Sequence, residues 1–174
     1  MVAGRDERTW VRGAQRGSVS DVEALFRAHW PRAFRAAYLV VHDAAAAEDI
    51  AQESFLAALR ALDRFDRRRP FGPWLHRIVV NRSIDWTRAR QLRAEAELDE
   101  TRLGEAHSAP PDPEPLDRNL LAALAALPPD HRAVIVLRHL LGYTPGEIAK
   151  ALDLPRGTVN SRLRRGLDSL KEQV

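Results

Sequence analysis

The apolar residues in the first half of the chain follow helical spacing. Ser20 followed by Glu23 predicts a capping box at the start of a helix, and Pro31 predicts a bend within it because proline removes one backbone hydrogen bond. Behind Ser20, aromatic residues recur at every fourth position: Phe26, Trp30, Phe34 and Tyr38. This spacing places the four rings on one face of an amphipathic helix, and such a stripe is more often core than ligand site.

A second helix is predicted from Asp43, a suitable N-cap, to about Leu62. One face is apolar, and the other carries acidic and amide side chains: Glu48, Asp49, Gln52 and Glu53. The pattern then breaks at DRFDRRRPFGP, residues 63–73, where glycine, proline and charge predict an ordered but irregular loop. A third helix is predicted from Pro73 to about Arg90, and the sequence RAEAELDE after it can extend that helix.

Residues 93–117 have a different composition. They are acidic and contain four of the chain's 11 prolines. Such a segment cannot bury enough apolar surface to fold alone, so it is predicted to be a linker, extended around APPDPEP. Beyond it, four short apolar helical patterns predict a compact second domain: Leu116–Leu127, Asp130–Leu141, Pro145–Leu152 and Pro155–Leu170. The fold class is therefore all-α, with two small helical domains joined by an extended linker.

Charge follows the same division. Residues 1–92 have a net charge of +5, residues 93–117 of −6 and residues 118–174 of +4, which together give the +3 of the whole chain. Basic blocks attract phosphate backbones through Coulomb forces and counterion release. A second explanation stays open, because all but two of the 27 basic residues are arginine and GC-rich codon usage produces the same bias.

Several classes of protein are excluded or disfavoured. The absence of cysteine excludes disulfides and every cysteine-ligated zinc site. The six histidines show no metal-ligand spacing, and there is no glycine-rich phosphate loop, so we expect no enzyme, no metal and no cofactor. The first 16 residues contain no apolar stretch of signal-peptide length, and no segment is apolar enough to span a membrane, so we expect a cytoplasmic protein without membrane insertion.

The last two predicted helices, TPGEIAKALDLPRGTVNSRLRRGLDSL, have facing apolar stripes. Asp153 and Leu154 provide the turn between them, and Pro155 opens the second helix, which predicts a helix-turn-helix. The face of the second helix opposite its apolar stripe is polar: Asn160, Ser161, Arg164, Arg165 and Asp168. Such a helix fits the major groove of DNA, with Arg156 and Thr158 able to reach phosphates at its start. A merely solvated polar face remains the alternative on spacing alone.

Residues 121–170 resemble the −35 reading domain of the extracytoplasmic-function (ECF) sigma factors of bacterial RNA polymerase, the group with two conserved domains. The matching elements are Leu127-Pro128, Arg132, Glu147-Ile148-Ala149, Gly157-Thr158-Val159, and Ser161-Arg162-Leu163 ahead of Arg165. The first half resembles the same family independently. DAAAAEDIAQESFLAALRAL is similar to the polymerase-docking helix, and RFDRRRPFGPWLHRIVVNRSIDWTRAR to the −10 element region.

The resemblance implies a sigma factor that binds core RNA polymerase, reads the −35 element as double-stranded DNA and the −10 element as single-stranded DNA, and assists promoter melting. It implies a sigma region 2 domain over residues 1–92, a linker over 93–117 and a sigma region 4 domain over 118–174. In this family the linker threads toward the active-centre and RNA-exit channels of the polymerase, whereas a passive tether is the alternative. An anti-sigma factor is a further partner that the resemblance implies.

Individual residues carry over from the same resemblance. The polymerase contacts fall on Asp49, Gln52 and Glu53, a face that would otherwise be interpreted as solvated surface. A flipped −10 base falls near the loop that begins at Arg64, with Asn81 offering a bidentate amide. Aromatic stacking and phosphate contacts are the means by which single strands are held. The candidates are Phe65, Phe71 and Trp74 for stacking, with Trp74 favoured as core, and Arg67, Arg68, Arg69 and Arg77 for phosphate.

The −35 candidates lie on the last helix and at its start: Arg156, Thr158, Asn160, Ser161, Arg162, Arg164 and Arg165. Asn160 stands where basic residues are frequent in relatives, so the preferred −35 sequence does not carry over. A competing hypothesis is an ordinary helix-turn-helix regulator that binds operators as a dimer without polymerase. It would need a dimerisation surface or a sensor domain, and the sequence indicates neither.

Overall fold

The computed structural model describes residues 3–97 and 117–173, and within these ranges the regular structure is entirely helical, as predicted. The first group of helices is α1 (Ala3–Ala14), α2 (Val19–Val41), α3 (Ala44–Arg60) and α4 (Phe71–Glu97), with a 3₁₀ turn at Leu62–Arg64. The second group is α5 (Arg118–Ala126), α6 (Pro129–Ile135), α7 (Pro145–Leu152) and α8 (Arg156–Gln173), with a π-helical turn at Val136–Leu140. The predicted linker falls mostly on residues 98–116, which lie outside the described residues.

The start of α2 differs from the prediction. Ser18, not Ser20, is the N-cap, and its hydroxyl accepts a hydrogen bond from the backbone of Asp21. The predicted capping box is therefore wrong, and the Glu23 side chain pairs with Arg27 one turn later. The reason lies in α1, a helix that the sequence pattern did not reveal. Its C-terminal turn closes through Gly17, whose φ of +87° favours glycine, and this places Ser18 in the extended conformation of an N-cap.

The core of the first group depends on small residues. Ala33, Ala36 and Ala37 of α2 are fully buried and let α3 and α4 approach closely. The predicted aromatic stripe lies beside this seam, at the margin of the core. Its rings form a continuous stack with centroid separations of 4.8 to 6.3 Å, in which Phe26 is 39% exposed and the others are partly buried: Trp30, Phe34 and Tyr38. The four rings thus pack together as expected for a core stripe, but Phe26 is more exposed than a core residue.

Helices α3 and α4 agree closely with the bounds predicted from the sequence. Asp43 caps α3 by accepting from the backbone of Ala46 at 3.0 Å, as predicted. The following helix, α4, begins at Phe71, two residues before the predicted start, and runs through the RAEAELDE segment as far as Glu97. The predicted extension of this helix is confirmed as far as Glu97, and residues 98–100 lie outside the described residues.

The second predicted helix of the second group ends differently in the structure. Residues 130–141 were expected to form one regular helix, but α6 widens into the π-helical turn, with the Leu141 backbone donating to Val136 five residues earlier. The chain then reverses at Gly142, whose φ is +76°. From Thr144 onward, a true capping box with Glu147 starts α7 at the predicted residue.

The two groups of helices pack against each other, mainly through α6 and the π-helical turn that follows it. Arg132 on α6 is only 6% exposed. Its guanidinium donates to the backbone carbonyl of Val40 in α2, and also to those of Ala125 and Leu127, both at 2.8 Å. Burial lowers the pKa of Arg132 to about 10, still well above neutrality, so the charge is retained. One buried cation thus joins the end of α2 to the second group.

No helix in residues 3–97 and 117–173 combines the length and the apolar character that crossing a membrane requires.

Candidate polymerase and promoter interfaces

The acidic and amide side chains of α3 form an exposed face. Asp49, Gln52 and Glu53 are all exposed, while the opposite side of the helix is buried against the core. Glu53 is joined to α4 by an ion pair with Arg82 at 2.9 Å. Leu56, one turn after Gln52, is 45% exposed. We call Asp49, Gln52, Glu53 and Leu56 the α3 face; it offers charge with an apolar side chain beside it.

The loop between α3 and α4 is ordered by an aromatic cluster. Phe71 is 1% exposed and Phe65 is 9% exposed, and both rings contact Trp74, with centroid distances of 5.7 Å and 4.6 Å. Trp74 itself is only partly buried. The preference for Trp74 as the core residue is therefore wrong: α4 starts earlier than predicted, which turns Phe71 inward and leaves Trp74 at the surface of the cluster.

The arginines of this loop, and Arg77 in the adjoining part of α4, remain available to solvent. Arg64, Arg67, Arg69 and Arg77 are exposed. Arg68 is exposed too, but its side chain pairs with Asp66 at 3.1 Å, and this hydrogen bond holds the pKa of the Asp66 carboxyl below its usual value. The loop is therefore a positively charged surface with one internal ion pair that shapes its turn.

A cleft of about 550 Å³ lies between this loop and α7. Trp74 and Tyr143 contribute aromatic surface, and the basic residues that line it are Arg64, Arg69, Arg77 and Lys150. Tyr143 also donates from its hydroxyl to the carbonyl of Pro73 at 3.1 Å, and burial raises the pKa of this hydroxyl to about 12. Aromatic rings among cations are the materials that hold a single-stranded base and its phosphate.

Asn81 lies on α4 beyond the cleft. It is half-buried, and its side-chain amide donates to the carbonyl of Ala151 in α7 at 3.2 Å. The side chain predicted to read a base is thus occupied by the second group of helices in this conformation.

The last two helices form the predicted helix-turn-helix. Asp153 makes the turn in the left-handed region with φ of 53°. Val159 and Leu163 of α8 are buried, while Asn160, Arg164 and Arg165 are exposed. Of the other −35 candidates, Arg156 is exposed, and Thr158 and Ser161 are half-buried. A separate polar face above an apolar one leaves the exposed side chains free to approach a DNA groove.

Arg162 departs from this pattern. It is half-buried and pairs with Asp130 at 2.9 Å. The same carboxylate pairs with Arg88 of α4, also at 2.9 Å. Arg162 therefore faces the junction of the two helix groups, unlike Arg164 and Arg165.

Comparisons with known families decide the identity of the fold. The family model for sigma-70 region 2 matches residues 25–93, and the model for sigma-70 region 4 matches residues 117–170. The RNA polymerase sigma factor CarQ of Myxococcus xanthus is 35% identical over 158 residues, which is 90% of each chain. The ECF RNA polymerase sigma factor SigL of Mycobacterium tuberculosis is 34% identical and covers 92% of this chain and 93% of its own. This chain belongs to the ECF sigma factors.

Its function is accordingly promoter recognition and transcription initiation with bacterial RNA polymerase. A third relative, the ECF sigma factor SigE of Mycolicibacterium smegmatis, is 35% identical over 163 residues; the match covers 87% of this chain and 61% of that longer relative. Among solved structures, CnrH in complex with the cytosolic domain of CnrY has a TM-score of 0.68 at 26% identity and covers 96% of both chains. Bartonella quintana RpoE, solved with the anti-sigma factor NepR, shares the fold with a TM-score of 0.73 at 24% identity, covering 89% of this chain and 97% of its own.

The structure of this sigma factor adds features that sequence patterns did not single out. Leu56 was not assigned to either face of α3, although its spacing from Asp49 and Glu53 places it among them. The packing of region 4 onto region 2 had no sequence signal, since Asn81 and Ala151 are 70 positions apart. In the described parts of the chain, no group of three side chains is arranged to hold a metal ion.

Proposed function

We propose that the α3 face docks this sigma factor on core RNA polymerase. Asp49 and Glu53 can accept charge-assisted hydrogen bonds from cationic side chains of the polymerase, and Gln52 adds an amide between them. Leu56 supplies an apolar contact at the same face, so the site combines steering by charge with burial of apolar surface. Glu53 would exchange its contact with Arg82 for one with the polymerase.

The −10 element is proposed to bind at the cleft and its loop. Trp74 is the aromatic residue that remains accessible, so we assign stacking to Trp74 in preference to Phe65 and Phe71. Arg67, Arg69 and Arg77 are proposed to contact phosphates of the single strand. The remaining candidates, Arg64, Arg68 and Asn81, are assigned to the same strand. Because Asn81 is bonded to Ala151 in this conformation, we propose that region 4 moves away from region 2 before Asn81 reads a base.

The −35 element is proposed to bind α8. Arg164, Arg165 and Asn160 are exposed above the buried Val159 and Leu163, and this separation is the observation that best supports the assignment. Arginine pairs with guanine and asparagine with adenine in the major groove. Arg156, Thr158 and Ser161 are proposed to contact the backbone at the start of the helix, and Arg162 to contribute only if it leaves Asp130.

The domain limits remain part of the proposal: region 2 over residues 1–92, the acidic linker over 93–117 and region 4 over 118–174. We propose that the linker enters the RNA path of the polymerase, because its net charge of −6 suits a channel that later holds RNA. The protein acts without chemistry of its own and works in the cytoplasm, where the polymerase is.

An anti-sigma factor is the other proposed partner. CnrH, which shares this fold at 26% identity, is seen with the cytosolic domain of another protein. A neighbouring gene for a short protein with one transmembrane span or a His/Cys zinc motif would be the first candidate. Co-purification of its cytosolic part with this sigma factor would identify the partner, and failure to bind would exclude it.

The docking assignment has a direct test. Asp49→Lys combined with Glu53→Lys should abolish comigration with core polymerase in gel filtration, since loss of close interfacial charge pairs costs about 2–5 kcal/mol. A matched control reverses two exposed carboxylates elsewhere, Glu23 and Glu172, and should comigrate normally. Circular dichroism should show both variants folded. Comigration of the Asp49/Glu53 variant like that of the wild type would reject the α3 face as the docking site.

A further inference from the structure

Helix α1 lies outside the residues that match sigma region 2, yet it is built into the domain. Val11 is 2% exposed in the core. Gly13 permits close packing on α2, because a Cβ atom at this position would lie 1.7 Å from the carboxylate of Asp21. Helix α1 is therefore fixed against α2, and any side chain that it extends toward the loop acts from a rigid support.

Gln15, just after α1, holds the first end of the loop. Its side-chain amide donates to the carbonyl of Leu62 at 2.8 Å and to that of Phe65 at 3.2 Å. These carbonyls belong to the first residue of the 3₁₀ turn and to the residue just after it, ahead of Arg67, Arg68 and Arg69. Both bonds span about fifty residues of sequence. One side-chain amide thus fixes the position and direction of the backbone where the loop leaves α3.

Glu7 holds the second end of the loop. Its carboxylate accepts from the backbone of Gly72 at 3.3 Å and lies 2.9 Å from the imidazole of His29. Gly72 is in the first turn of α4, where backbone donors have no partner within the helix. The imidazole packs on Phe71, with ring centroids 5.3 Å apart. Glu7 therefore fixes the point at which the loop enters α4 and the ring that anchors it.

We propose that α1 is a brace for the −10 loop, and that Gln15 and Glu7 are positioning residues for promoter opening. The brace holds residues 62–72 at both ends, so that the intervening arginines and the adjoining Trp74 are already placed when a base leaves the duplex. Preorganisation of this kind lowers the ordering cost at the moment of binding. The proposal rests on the assignment of this loop to the −10 element.

The test uses holoenzyme reconstituted with core polymerase and a promoter selected from a random duplex library by the wild-type protein. Gln15→Met keeps the length of the side chain and removes the donor, whereas Gln15→Lys keeps a donor. Gln15→Met should lower transcription from the duplex promoter about tenfold, the effect of losing two hydrogen bonds worth about a factor of three each. A template pre-melted at −10 should recover part of that loss. Gln15→Lys should retain more activity than Gln15→Met on the duplex.

Hydrogen–deuterium exchange of the free protein tests whether Gln15 and Glu7 keep residues 62–72 ordered. Amides of residues 62–72 should exchange faster in Gln15→Met, while the core of α2 keeps its wild-type rate. Glu7→Gln, which keeps an acceptor for Gly72 but loses the charge beside His29, should show a smaller effect. Arg12→Ala is the matched control, because Arg12 is an exposed residue of the same helix. Wild-type exchange and wild-type transcription in Gln15→Met would overturn the brace.

A double variant at the loop and the adjoining part of α4 separates the two possible failures. Arg69→Ala with Arg77→Ala removes two exposed cations of the cleft without touching α1. If this double variant impairs opening and Gln15→Met does not, the brace is wrong and the −10 assignment stands. If neither variant impairs opening, the −10 assignment is wrong and the brace has no role in it.

Discussion

Replacing Arg132 by methionine should weaken the fold more than any exposed arginine substitution, and should do so at the junction of regions 2 and 4. The guanidinium donates to three backbone carbonyls, those of Val40, Ala125 and Leu127. Methionine keeps the aliphatic stem of the side chain and removes every donor. The carbonyls of Val40 and Leu127 would then be left without that partner in a region that excludes water.

The magnitude follows from two opposing effects. Hydrogen bonds from a charged donor contribute about 1.5–3 kcal/mol each, or roughly 5–9 kcal/mol for three. Burial of the charge, which lowers the pKa of Arg132 to about 10, opposes folding by roughly 3 kcal/mol. Removing both effects should therefore reduce the free energy of unfolding by roughly 2–6 kcal/mol, in the range known for broken buried ionic contacts.

The assay can separate the two regions without labels. The chain has four tryptophans, Trp10, Trp30, Trp74 and Trp86, all of them in the first group of helices. Urea unfolding followed by tryptophan fluorescence therefore reports region 2, and circular dichroism at the helical band reports both regions. In the wild type the two transitions should coincide. In Arg132→Met, the circular dichroism transition should begin at lower urea than the fluorescence transition, because region 4 loses its anchor on Val40.

Arg118→Met is the matched control, since Arg118 is exposed at the start of α5. It should unfold within about 0.5 kcal/mol of the wild type, as surface substitutions usually do. Coincident transitions in Arg132→Met with a stability equal to that of Arg118→Met would refute the role given to the buried guanidinium.

Three further predictions concern single sites. Leu163→Ala should lower the free energy of unfolding by about 2–5 kcal/mol through its cavity, whereas Arg165→Ala should melt normally and weaken promoter binding by about 1–3 kcal/mol in footprinting; the opposite pattern would contradict the two faces of α8. Burial lowers the pKa of His76 from 6.5 to about 4, so between these pH values the folded state binds fewer protons than the unfolded state. The free energy of unfolding should therefore be unaffected by His76 above pH 6.5 and should fall as the pH drops from 6.5 to about 4. Between pH 7 and 5, calorimetry should show that His76→Phe loses roughly 2 kcal/mol less free energy of unfolding than the wild type. Equal losses in the two proteins would refute this. Gly166→Ala places a Cβ 2.6 Å from the terminal methyl group of Ile135, so it should destabilise by about 1–3 kcal/mol, and Ile135→Val should restore part of this if the contact is the cause.

The sequence could predict elements whose signals are local. Asp43 capped its helix as expected, and α7 began and ended where Pro145 and Leu152 predicted. The start of α2 was misplaced because α1 was not recognised: once Gly17 closes that helix, Ser18 is the residue in extended geometry. A boundary defined by the preceding element cannot be located from the following helix alone.

Which side chains of the candidate −10 loop are exposed could not be predicted from the sequence. The sequence placed three aromatic residues near one loop, but which ring turned inward depended on whether α4 began at Phe71 or Pro73. Because α4 begins at Phe71, this ring belongs to the first turn of the helix and packs in the core, whereas Trp74 stays partly buried at its margin. Contacts such as that between Asn81 and Ala151 had no local signal, because they arise only when two distant domains meet.

The contacts between the regions also bear on how such a protein can change over generations. Asn81, Tyr143 and Arg132 each cross the junction from a side-chain donor to a main-chain carbonyl, on Ala151, Pro73 and Val40 respectively. Every residue type carries that carbonyl, so each acceptor position tolerates replacement as long as the backbone keeps its path. Region 4 can thus acquire a new DNA preference, and region 2 a new −10 preference, while the two still fit together.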